Sequence, residues 1–88
     1  MRAEWSLLCV RDNQTGKAVS LPEDKMNAVY VINRLSLGEH TLLSIPKTNY
    51  MVPILVESFE FVDEFLILHT ADLIYTFELY FEEERVWY

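Results

Sequence analysis

Cys9, His40 and His69 are the only cysteine and histidines in the 88 residues, and with fourteen carboxylates they are the groups from which catalysis or metal binding would have to be built. Their spacing supports neither. A nucleophile needs a base within hydrogen-bond reach, and neither histidine lies near a Ser, Cys or carboxylate in a recognised nucleophile arrangement. Cys9 sits in the apolar run SLLCV, where a thiol is ordinarily inert packing. Glu39-His40 and Glu82-Glu83-Glu84 contain ligand types without ligand spacing, because neighbours along a strand point to opposite faces, and no Asp-x-Asp-x-Asp-Gly loop is present. Gly16 and Gly38 stand apart, so no glycine-rich loop exists to cradle a phosphate. The expectation is a protein that is not an enzyme and takes no metal or cofactor.

The carboxylates are informative through their distribution instead. Residues 1–47 hold five acids and six bases, a balance of +1, whereas residues 48–88 hold nine acids and only Arg85, a balance of −8. No basic residue lies between Lys47 and Arg85. That polarity argues against direct nucleic-acid binding or an anionic membrane and favours a basic partner protein. Solubility alone is usually met with mixed signs, so an unbroken acidic stretch calls for a further reason.

With 51% apolar residues, 14% aromatics, two Gly and three Pro, the composition is that of a packed domain, and the length suits one domain spanning residues 1–88. A single cysteine cannot form an internal bridge, which points to a reducing compartment. Glu4 interrupts the basic start of MRAEWSLLCV and no stretch approaches 18 apolar residues, so a cytoplasmic location without membrane anchoring is expected.

These side chains must be positioned by a small set of elements. EWSLLCVR alternates Trp5, Leu7 and Cys9 against Ser6, Leu8 and Val10 and predicts a strand; DNQTGK supplies turn chemistry, and a short return strand follows around Ala18 to Ser20. In SLPEDKMNAVYVINRLSLG, Ser20 and Glu23 have capping-box spacing, Pro22 tolerates a first helical turn and Gly38 offers a stop, which predicts a helix over residues 22–35. The competing reading is a strand through Val29-Tyr30-Val31-Ile32, whose β-branched content is high. HTLLSI and YMVPIL form a strand pair across PKTN, with Pro53 marking an edge or a bend.

The C-terminal third alternates most clearly. Leu73, Tyr75, Phe77, Leu79 and Phe81 share one face of a strand, and short even loops near Ala71-Asp72 and Asp63-Glu64 bring Leu66, Leu68, Phe59 and Phe61 onto the same face of a three-stranded meander. The expected fold is therefore α+β: a mostly antiparallel sheet of about five strands with one helix packed on one face, ending in that meander.

The meander's other face carries Phe65, Ile67 and Tyr80 among Glu60, Glu78 and Glu82. Aromatic anchors with a charged rim are the make-up of a protein-binding surface. Glu60, Glu78, Glu82 and Glu84 are expected to pair with Lys or Arg of a partner, and Phe65, Ile67, Tyr80 and Trp87 to supply buried contacts. The function expected is that of a small acidic inhibitor, of the immunity or antitoxin type or an anti-defence type, which occludes a basic, nucleic-acid-binding surface of a partner such as a nuclease. The alternative is a structural or assembly subunit that forms a homodimer through the same face.

Overall fold

The computed structural model describes residues 3–32 and 35–82, the last two by their backbone alone. Across these residues the chain forms seven strands: β1 (Ala3–Asp12), β2 (Val29–Ile32), β3 (His40–Ser44), β4 (Met51–Leu55), β5 (Ser58–Val62), β6 (Phe65–His69) and β7 (Leu73–Glu82). All pair antiparallel in one sheet of order β4-β3-β2-β1-β7-β6-β5. The expected α+β class is overturned: there are seven strands where about five were expected, and no helix among the described residues.

The helix expected over residues 22–35 fails for a local reason. Pro22 does start a turn, its carbonyl accepting from the amides of Lys25 (2.9 Å) and Met26 (3.0 Å). Asn27 then takes φ 64°, a left-handed conformation that Asn tolerates and that ends a right-handed turn. Val29-Tyr30-Val31-Ile32, stiff at χ1 and better suited to a pleated surface, follows as β2. Capping signals set one turn, and the β-branched run set the element.

β1 departs from simple alternation. Its register against β7 shifts between Leu7 and Cys9, so a bulge at Leu8 brings Val10, and not Cys9, onto the face of Trp5 and Leu7. Leu7 and Val10 are each 1% exposed. The turn after β1 is held by Asp12, whose carboxylate accepts from the amides of Gln14 (2.8 Å) and Thr15 (2.9 Å). The Thr15 and Gln14 bonds keep that carboxyl below its usual pKa. The expected return strand is a single bridge, Arg11 to Ala18.

The two edge strands lie next to each other in sequence. Six antiparallel pairings separate β4 from β5 across the sheet, so the two run in the same direction, yet only Val56 and Glu57 join them. A two-residue passage from one edge to the other, without reversal, requires the sheet to be rolled until its edges meet at a corner. Two observations agree. Trp5 on β1 and Phe61 on β5 would be about 14 Å apart on a flat sheet at the usual strand spacing, yet their ring centroids lie 6.1 Å apart. Ile54 and Leu55 of β4 also share one depression with Thr70, Ala71, Asp72 and Tyr75 from the β6–β7 end.

Rolling creates the core. Leu7, Val10, Tyr30, Ile32, Leu43, Ile54, Val56, Leu66, Leu68 and Phe77 form one buried cluster on the inner face. Phe77, at its centre, is fully buried, with Tyr30 edge-on (5.9 Å between centroids) and Tyr75 stacked (6.3 Å). Val56, at the corner, is also fully buried and plugs the seam. The Tyr30 hydroxyl donates to the Lys25 carbonyl at 2.8 Å, which ties the 22–27 loop to the core.

Candidate protein-binding face

The meander has the expected register. Leu66 lies opposite Phe77 and Leu68 opposite Tyr75, while Phe59 and Phe61 lie opposite Leu68 and Leu66. Asp63, with φ 55°, takes the left-handed conformation that a two-residue hairpin turn needs and that Asp accepts. With inner residues fixed in this way, the alternate residues must point outward.

Three rows of the outer face follow from the pairings: Ser58, His69, Ile74 and Arg11; Glu60, Ile67, Thr76 and Cys9; Val62, Phe65, Glu78 and Ser6. Phe65, Ile67 and Ile74 are half-buried, and Val62 and Glu60 are exposed. β1 lies beside β7 and extends this face sideways; it does not fold over it. Exposed Glu57, Asp63 and Glu64 adjoin β5 and its turn, and residues 48–82 contain seven acids and no base. Between outermost Cα atoms the three rows and four strands span roughly 14 Å by 14 Å, so with side chains they supply about half of the ~800 Å² a stable interface takes from each partner. The acids around it would furnish the rim.

Of the expected site residues, Glu60, Phe65, Ile67 and Glu78 come together on this face. Tyr80 is displaced from it. The register against β1 shifts again, from Trp5 opposite Leu79 to Glu4 opposite Phe81, so Tyr80 occupies a second bulge. It is 65% exposed and lines a separate groove of about 560 Å³ with Glu4, Val29, Ile45 and Lys47. Glu82 ends β7 beside Ala3, its side chain outside the described residues, where Glu84 and Trp87 also lie. Sequence reasoning missed Arg11, a base at the margin of the face opposite Ile74, whose guanidinium donates to the Gly16 carbonyl at 3.1 Å. The signal for it was the bulge at Leu8, which a strand apolar on both faces conceals.

The groups that could do chemistry are dispersed. His40 opens β3 opposite Leu55, His69 ends β6 between Ser58 and Ile74, and Cys9 lies half-buried on β1. Among the described residues no group of three or more His, Cys, Asp or Glu is arranged to hold a metal ion. No helix among them is long and apolar enough to cross a membrane. No protein-family model matches the chain, and no curated protein or solved structure is significantly similar to it.

Proposed function

We propose that the protein is a cytoplasmic inhibitor that binds a basic surface of a partner protein, such as a nuclease or another nucleic-acid-binding effector, with the outer face of β5, β6 and β7. The observation that carries this reading is the register of the meander, which sets Val62, Phe65, Ile67 and Ile74 together on one face, bordered by Glu60, Glu78, Asp63 and Glu64 with no base on these three strands. Apolar side chains on a rigid sheet lose little entropy on docking and supply the affinity; the surrounding carboxylates steer the encounter and select a cationic partner. Occupying that cationic surface would deny it to nucleic acid.

The test is affinity capture from the native host's lysate with the wild-type chain beside Glu60→Lys/Glu78→Lys. A basic protein should be retained by the wild type, lost from the variant and released as salt rises. Added in equal amount, the wild type should also block that protein's binding to nucleic acid. Equal retention by both forms at all salt concentrations would sink the proposal. The assembly alternative would then be measured by sedimentation of the purified chain.

A further inference from the structure

Resting on that reading, we propose how the partner is held: β5 receives an extended basic segment that adds antiparallel to its free edge, with Lys or Arg opposite Glu60 and apolar side chains opposite Phe59 and Phe61. The two-residue turn makes Val62 and Phe65 a hydrogen-bonded pair, so Glu60 and Ser58 also direct their backbone groups to β6. The N–H and C=O groups of Phe59 and Phe61 therefore face away from β6. Among the described residues β5 pairs with β6 alone.

The other edge is treated differently. The amide of Ile45 donates to Tyr50 at 3.2 Å, which makes 45 and 50 a hydrogen-bonded pair. By alternation Pro53, opposite Leu42, turns its nitrogen to the free side of β4. The middle of that edge thus lacks a donor, and a strand cannot add there without losing a bond. β5 has no such block.

What β5 has instead is selectivity by charge. Two copies pairing antiparallel about residue 60 would set Glu60 against Glu60, and like charges directly opposite are destabilising. A Lys or Arg at that position reverses the sign. On the inner side Phe61 is 57% exposed and touches Phe59 (5.9 Å, edge-on) and Trp5 (6.1 Å), which makes an aromatic shelf beside the free edge. The segment recognised is then apolar–basic–apolar in alternation, its apolar residues on the shelf and its cation with Glu60.

The probe is the blocked peptide Thr-Lys-Val-Arg-Val-Lys-Thr at low salt, beside the same peptide N-methylated at both valines, whose amides are those that would bond β5. At a peptide concentration ten times its Kd, amide exchange of Phe59 and Phe61 should slow about ten-fold. N-methylation should abolish both binding and protection, and Glu60→Lys should transfer preference to a peptide with Glu in place of Lys and Arg. Phe61→Pro, which copies on β5 what Pro53 does on β4, should abolish binding while β6 keeps its bonds. Equal binding of the plain and N-methylated peptides, with no slowing at Phe59 and Phe61, would overturn edge addition; loss of that binding in Glu60→Lys would leave the basic-partner reading standing. Failure of both peptides to bind overturns the edge as well, and the capture experiment decides the face independently.

Discussion

Raising the pH across the tyrosine range should reverse the stability order of the wild type and Tyr30→Phe. Tyr30 is 2% exposed, and burial, reinforced by the negative charge that Tyr50, Tyr75 and Asp24 would present, pushes its hydroxyl from 10.0 to about 12. A folded-state pKa raised above the unfolded one contributes stability that is complete below pH 10 and is lost as pH rises through 12. At ~1.4 kcal/mol per pKa unit the full loss is about 2–3 kcal/mol, roughly half of it spent by pH 11. At pH 7 the phenylalanine variant keeps the ring contacts with Phe77 and Tyr50 and forfeits only the 2.8 Å bond to the Lys25 carbonyl, a cost of about 1 kcal/mol. The variant should therefore be the weaker protein at pH 7, equal the wild type shortly before pH 11 and exceed it beyond. Urea denaturation at pH 7, 9, 10 and 11, followed by tryptophan fluorescence, reads this directly. Groups that titrate in both proteins without facing Tyr30 cancel in the difference. Parallel stability curves from pH 7 to 11 would refute the argument that a desolvated hydroxyl at this position couples folding to protonation.

Two further substitutions probe the rolled sheet. Phe77→Ala removes the ring between Tyr30 and Tyr75 at the centre of the core and should cost about 3–5 kcal/mol in thermal or urea unfolding, much of a small domain's stability; a loss under about 1 kcal/mol would show that the inner face does not pack as described. Pro53→Val restores a donor to the free side of β4 and should leave the fold intact while promoting concentration-dependent association in sedimentation velocity; a monodisperse variant at high concentration would show that proline is not what blunts this edge.

Much of this architecture was legible because it is local. The odd positions of β7, from Leu73 to Leu79, alternate over a long strand, and two-residue turns on either side of β6 leave one register that keeps the apolar residues together. That register also placed Glu60, Phe65, Ile67 and Glu78 on one face. Pro53 could be read as an edge or bend residue because a proline cannot donate from a central strand. What escaped depends on competition or on distant structure. At residues 22–35 real N-terminal helix signals compete with a β-branched run, and Asn27 decides between them only through a backbone angle. The bulge at Leu8 leaves no mark because both faces of its strand are apolar, and the one at Tyr80 falls in a strand whose alternation runs on unbroken through it, so Cys9 and Tyr80 have other neighbours than simple alternation predicts.

The missing helix and the outward-pointing apolar residues of β5, β6 and β7 have one cause. A sheet with one apolar face needs a cover, and the helix that the sequence predicts over residues 22–35 would supply one. The molecule covers the face with the sheet itself: the corner at Val56 and Glu57 sends the chain from β4 directly into β5, and Ile54 and Val56 close onto Leu66, Leu68 and Phe77. A sheet rolled on its own apolar side uses its inner residues for the core and leaves its outer residues with no structural task there. The half-apolar, wholly acidic character of that outer surface on β5, β6 and β7 is therefore not required by folding. Folding needs the inner alternation alone, and would tolerate lysines at Glu60 and Glu78 as readily as carboxylates. On the proposed function, the one-sided charge serves the encounter with a basic partner.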